Sequence, residues 1–171
     1  MISDNTGNVR YYSVHSEDLD KPILCLEVLP NGDDSEALRD ETGQEIGHLK
    51  DKICFSEQDL NEWTNFAQIA GGFSEYAAQI PSPEIWPIAV LVDLEVYLEF
   101  RKHGHGRAAL RQFLDDARTK GAKVALLRVG WYGDNPDAER AWRIAWYARE
   151  GFRELENRVP QLLIPFMYRL L

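Results

Sequence analysis

Between positions 88 and 120 an apolar stretch enters a short basic loop with two glycines and leaves it as an amphipathic pattern. The loop reads Val96-Tyr97-Leu98-Glu99-Phe100-Arg101-Lys102-His103-Gly104-His105-Gly106-Arg107. Glycine tolerates positive φ, so successive backbone N–H groups there can point into one concavity. A helix that starts directly behind the loop adds its positive N-terminal end. Arg101, Lys102 and Arg107 add charge of the same sign. Such a strand-to-helix junction suits a pyrophosphate, and it commits this part of the chain to a strand with a helix packed on it.

The flanking pattern extends that commitment. Residues 88–98 read as a long apolar strand and 106–120 as a helix whose buried stripe is Leu110, Phe113, Leu114 and Ala117, stopped by Gly121. Residues 123–129 read as a central strand. Asn135 is placed to cap a further helix, with Pro136 in its first position and Gly151 ending it after Glu150. Its apolar stripe, Ala138, Ala141, Trp142, Ala145 and Trp146, is expected to pack into the core; Tyr147 falls beside Ile144 and Ala148, off that stripe. Residues 152–156 and 164–170 read as closing strands. The order is α/β, with parallel pairing expected where a helix crosses over.

The first half alternates like strands at 9–14 and 22–29. A hairpin follows, with Ala37-Leu38-Arg39 and Glu45-Ile46-Gly47-His48-Leu49 joined by Asp40-Glu41-Thr42-Gly43. From 56 to 80 the spacing turns helical: Ser56 is the N-cap, and Leu60, Trp63, Phe66, Ala67 and Ala70 recur on one face. Gly71-Gly72 divides this stretch into two helices, and Pro81, Pro83 and Pro87 mark a loop.

Composition narrows the function. Asp and Glu number 28 against 19 Lys and Arg, a net charge of -9, which argues against a phosphate-gripping nucleic-acid binder. It would favour a cationic acceptor such as an amine. The 171 residues suit one domain. The start lacks a basic region followed by an apolar one, and the longest apolar run, 85–92, is too short to span a bilayer, so a soluble cytoplasmic protein is expected. Cys25 and Cys54 alone make no disulfide framework and fit a reducing compartment; both lie in apolar strand contexts, where cysteine is usually core rather than an acyl-carrying nucleophile.

Arg101-x-x-Gly104-x-Gly106 resembles the Arg/Gln-x-x-Gly-x-Gly/Ala signature of the GNAT acetyltransferase superfamily, and Val96-x-x-x-Phe100 leads into it as members of the family do. Tyr147-x-x-x-Gly151-Phe152 looks like the end of the family's next helix, and 43 positions from Gly104 to Tyr147 leave room for the helix and strand between. The resemblance covers about half of the chain. It implies a single-domain GNAT-like α/β fold, a mixed central sheet flanked by helices, with residues 88–171 as the coenzyme A-binding core and 1–87 as a variable, acceptor-side half. It implies that Arg101, Lys102, His103, Gly104, His105, Gly106 and Arg107 bind the pyrophosphate of acetyl-CoA. Leu94, Glu95 and Val96 would pair with the pantetheine arm, and Tyr147 would stand near the thioester sulfur as a catalytic acid. The implied reaction is direct acetyl transfer to a small-molecule or peptide amine, without metal, nucleic acid or membrane.

The chain also departs from the family. Many relatives carry Asn and Ala seven and four residues before the tyrosine, where this chain has Arg140 and Arg143. A base common on the long strand is replaced by Val90 and Val92, which leaves Asp93, Glu95 or a relayed water as candidates. The helical stretch follows the hairpin rather than the first strand. A non-catalytic acyl-CoA sensor or interaction module is the alternative reading. Gly104-x-Gly106-x-x-Ala109, with Arg128 farther on, also fits a relaxed dinucleotide fingerprint, though too little chain follows for that fold. His103-x-His105 lacks the further ligands a zinc site needs, since only His15 and His48 remain. The apolar run 162–167 is either core or the surface of a homodimer.

Overall fold

The computed structural model describes residues 9–11, 25–28, 36–40, 42–64, 72–130, 136–156 and 165–171. They fall into two compact units interleaved in sequence, one from residues 1–51 and 93–116, the other from 52–92 and 117–171.

The first unit is built on antiparallel strands in sequential order: β1 (Val9–Tyr11), β2 (Cys25–Val28), β3 (Glu36–Arg39) and β4 (Glu45–Cys54), the last running on into the second unit. The expected hairpin is β3–β4, with Ala37 opposite His48 and Leu38 opposite Gly47. Gly43 has the positive φ the turn requires, 83°. Asp40 ties the turn together by accepting from the Thr42 backbone and hydroxyl and from the Gln44 N–H, at 2.8, 2.6 and 3.0 Å. The Thr42 hydroxyl is the main cause holding the Asp40 carboxyl below its ordinary range, and a nearby His105 adds a smaller pull.

The second half of β5 (Ile88–Val96) also belongs to the first unit and lies against β4. The Tyr97 N–H donates to the Ile46 carbonyl at 2.9 Å. A Cβ on Gly47 would collide with the Glu95 carbonyl oxygen, so this position admits only glycine. A 3-10 turn (Leu98–Phe100) leads through the loop into α3 (His105–Thr119). The predicted stripe of α3 is the buried one: Leu110, Phe113, Leu114 and Ala117 are each at most 2% exposed.

In the second unit, α1 (Glu57–Thr64) is capped as its sequence requires. The Asp59 N–H donates to the Ser56 hydroxyl at 3.2 Å, and the Asp59 carboxylate accepts the Phe55 N–H at 3.0 Å. Glu57 reaches the start of α2 (Ser74–Ala77), accepting from the Phe73 N–H at 2.8 Å and the Ser74 hydroxyl at 3.0 Å. Phe66, Ala67, Ala70 and Gly71 lie outside the described residues. The first half of β5 pairs in parallel with β6 (Val124–Arg128), Ile88 beside Val124 through Leu91 beside Leu127, the pairing expected where a helix lies between two strands in sequence. β8 (Phe166–Leu170) runs antiparallel to β6 and carries the two-residue β7 (Arg153–Glu154) on its other side. The closing strands are thus shorter than the alternation at 152–156 and 164–170 suggests. Phe166 and Met167 are core residues; Leu162, Leu163 and Ile164 lie outside the described residues. Leu60, Phe73, Tyr76, Ile88, Val90, Leu126 and Phe166 belong to the buried cluster of this unit.

The helix α4 (Pro136–Arg149) corrects one expectation. Trp142 is 60% exposed, Ala138, Ala141 and Ala145 are exposed too, and Trp146 is only half-buried. The inward face is the one through Arg140, Arg143, Ile144, Tyr147 and Glu150. Arg143 is held by Glu139 at 2.7 Å and Arg140 meets Asp137 at 3.5 Å, so the arginines cover that side with their stems while their charges are met locally. Trp142 and Trp146 stack on each other at 6.5 Å instead.

The close approach at Gly47 gives a direct test. Gly47→Ala should lower stability by the upper end of about 1–3 kcal/mol, the usual cost of overpacking, and should speed hydrogen exchange at the Tyr97 N–H. Gly43→Ala, with open space around it but a left-handed backbone, should cost about 1 kcal/mol and leave that amide protected. Thermal denaturation with amide-resolved exchange separates them, and equal protection of Tyr97 in both variants would refute the contact.

Candidate functional site

Of the two glycines in the basic loop, Gly104 takes a positive φ and Gly106 lies in the first turn of α3. Lys102 and Gly104 both have positive φ, 69° and 81°, and the Ala108 N–H donates to the Gly104 carbonyl at 3.0 Å to begin α3. Left-handed residues alternating with ordinary ones turn successive N–H groups to one side, and the first turn of a helix presents donors that have no partner within the helix. Lysine rarely adopts positive φ without a constraint. Arg101 supplies one, since its Nε donates back to the Val96 carbonyl at 2.8 Å and its guanidinium lies 3.9 Å from Glu95. The loop and the end of β5 are therefore one connected piece.

Lys102 and His103 are exposed, Gly104, Gly106 and Arg107 half-buried, and His105 buried. His103 and His105 have ring centroids 6.1 Å apart. Among the described residues no group of three or more His, Cys, Asp or Glu is arranged to hold a metal. Leu94, Glu95 and Val96 are half-buried, in contrast to the buried run Ile88, Ala89, Val90 and Leu91 before them. The structure thus brings Glu95, Val96 and Arg101 together at the head of the loop.

The sequence reading named Asp93 and Glu95 but missed the residues that meet them. The His48 Nε2 lies 2.8 Å from the Asp93 carboxylate and 3.9 Å from that of Glu95. Tyr97 donates its hydroxyl to Glu45 at 2.6 Å, and its ring lies 6.4 Å from the His48 imidazole. Arg39 approaches Glu45 at 3.9 Å. The Glu45 hydrogen bond is the first cause pushing the Tyr97 hydroxyl up to about 12, so this phenol stays protonated at neutral pH. Asp93 and Glu95 share a face because strand residues two apart do. His48 joins them across β4 and β5, with 45 positions between it and Asp93 in sequence. The available signal was a lone glycine, Gly47, inside a strand pattern, which marks a close backbone approach.

Tyr147 belongs to the second unit. It is 9% exposed, with Trp146 edge-on at 4.8 Å and Phe152 at 5.7 Å. Its carbonyl accepts from the Glu150 and Phe152 N–H groups, at 3.0 and 3.1 Å, which closes α4 at Gly151, where φ is 86°. Cys54 is buried, and burial pushes its thiol up to about 11; the side chain of Cys25 lies outside the description. A buried neutral thiol is a poor acyl carrier. Cys54 should therefore resist alkylation at pH 8 in the native protein and react at once in urea. The unfolded thiol ionises near 9 and the folded one near 11, so this group's contribution to stability is full below 9 and lost as pH rises through that window. Rapid native labelling of Cys54 would contradict the burial.

No family model matches the chain, and no curated protein matches it in sequence. Solved structures do match. The chain is similar to SsHAT at 19% identity, over 80% of this chain and 71% of that one, with a TM-score of 0.51. It is similar to a Drosophila melanogaster polyamine N-acetyltransferase that forms N-acetylagmatine, at 11% identity over 80% of this chain and 74% of that one, TM-score 0.52. It is also similar to arylalkylamine N-acetyltransferase 2 from Aedes aegypti, at 13% identity over 80% and 72%, TM-score 0.51. The chain has the mixed α/β fold of the GNAT acetyltransferases.

Proposed function

We propose that this chain transfers an acetyl group from acetyl-CoA directly to an amine. The observation that carries the reading is the loop from Arg101 to Arg107: left-handed at Lys102 and Gly104, opening α3, and set in an acetyltransferase fold. In this reading the backbone N–H groups of that loop receive the pyrophosphate, with Lys102 and Arg107 supplying charge. The half-buried residues Leu94, Glu95 and Val96 offer a strand edge to the pantetheine arm, and a backbone N–H there serves the thioester carbonyl oxygen as negative charge develops on it. The carboxylates of Glu45, Asp93 and Glu95 favour a cationic acceptor. Holding amine and thioester together supplies much of the acceleration. The resemblance alone assigns Tyr147 the role of protonating the departing thiolate.

Thermal shifts test the binding step. At a hundredfold excess over Kd, acetyl-CoA or CoA should stabilise the protein by about 2.7 kcal/mol, which is roughly 5–10 °C for a chain of this size. NADPH and zinc should leave the melting point where it is. Gly106→Trp should abolish the CoA shift while the protein still melts cooperatively, and an undiminished shift in that variant would remove the loop from the site. Stabilisation by NADPH alone would favour a dinucleotide-dependent enzyme instead.

For the chemical step, Tyr147→Phe should lower kcat about a hundredfold, the low end for general acid help, with a modest change in KM for acetyl-CoA. A tyrosine that only packs would lose about 1 kcal/mol of stability and keep wild-type turnover. Melting curves and steady-state kinetics on the same variant decide between these outcomes.

A further inference from the structure

The His48–Asp93 contact is an oriented imidazole with a nitrogen to spare. Its Nε2 faces the Asp93 carboxylate at 2.8 Å, the geometry of an N–H donated to an acceptor-only group. That bond fixes the tautomer, leaving the lone pair on Nδ1. Among the described residues only Nε2 of this ring is engaged. The His48 side chain is 24% exposed, sheltered yet open to a reactant. We propose that His48 is the general base that takes the proton from the acceptor ammonium, with Asp93 as its positioning residue. The inference rests on the acetyl-transfer reading above.

The surroundings fit a cationic acceptor better than a neutral one. Asp93 and Glu95 face the ring from β5, and Glu45 stands on its own strand beyond Tyr97. From β3 the nearest partner is Ala37, directly opposite, with Arg39 directed to Glu45. Lys50 follows two residues along β4, and Arg101 stands against Glu95 at 3.9 Å. The Tyr97 hydroxyl, engaged by Glu45 and kept protonated, does not compete as a base. Arg101 opens the phosphate-binding loop, so His48 is joined to that loop through Glu95 within the same unit.

The step balances without a further reagent. The ammonium gives one proton to Nδ1 of His48, and the freed lone pair forms the C–N bond at the thioester carbonyl. The C–S bond then breaks, its electron pair going to sulfur. The second N–H proton ends on the thiolate, and His48 returns its own proton to water.

The test uses the full chain with acetyl-CoA and three amines: spermidine, tyramine and a lysine-containing peptide. The wild type should show kcat/KM for the amine falling at acid pH in a single limb. His48→Gln should lose about a hundred- to ten-thousand-fold in kcat and lose that limb, while keeping the wild-type thermal shift with CoA. Added imidazole should partly restore His48→Ala. Asp93→Ala should fall below Asp93→Asn, which keeps an acceptor for Nε2–H. Wild-type turnover and an intact acid limb in His48→Gln would overturn the assignment and leave acetyl transfer standing. So would a wild type whose kcat/KM shows no acid limb at all, a measurement that needs no variant to fold. A wild type that acetylates none of the amines defeats the transfer reading and this assignment together.

Discussion

The candidate site depends on how closely β4 can lie beside the second half of β5, and Gly47 sets that distance. The Glu95 carbonyl occupies the space where any other residue would carry its Cβ. Because the backbones come that near, the Tyr97 N–H reaches the Ile46 carbonyl and the His48 ring reaches Asp93. The same approach puts Glu95 where Arg101 can meet it, and Arg101 in turn anchors the turn into α3. A strand contact without a side chain thus holds the polar residues of the first unit in one arrangement.

The loop behaves as a local consequence of its sequence. Gly104 takes positive φ without steric cost, whereas Lys102 takes it at a cost that surrounding contacts must offset. Strain of this kind tends to persist where binding needs donors aimed in advance. Net charge works in the opposite sense from the loop. The chain is acidic overall, yet Arg101, Lys102 and Arg107 gather at the strand-to-helix junction behind β5.

Local pattern made much of this legible. The β3–β4 hairpin followed from Gly43 and the Asp40 turn, the buried stripe of α3 from its 3.6-residue period, and the parallel pairing of β5 with β6 from the helix between them. The face of α4 was not legible from the same rule. Five apolar residues marked one side, but Arg140 and Arg143 cover the other with their aliphatic stems while Asp137 and Glu139 meet their charges. Periodicity counts apolar residues and does not see such pairing. His48 was missed for a different reason: its partner is distant in sequence, and only the register of two strands brings them together. Asp93 and Glu95 were visible as acids on the strand, without the imidazole that meets them.

The proposed reaction moves an acetyl group from coenzyme A to nitrogen. The most direct measurement incubates the protein with acetyl-CoA labelled in the acetyl group and a primary amine, then follows released CoA thiol and labelled amide in the same sample. Acetyl transfer yields both in equal amounts, with the label in an N-acetyl product. Thiol released without labelled amide, or tight CoA binding with neither product, would contradict it.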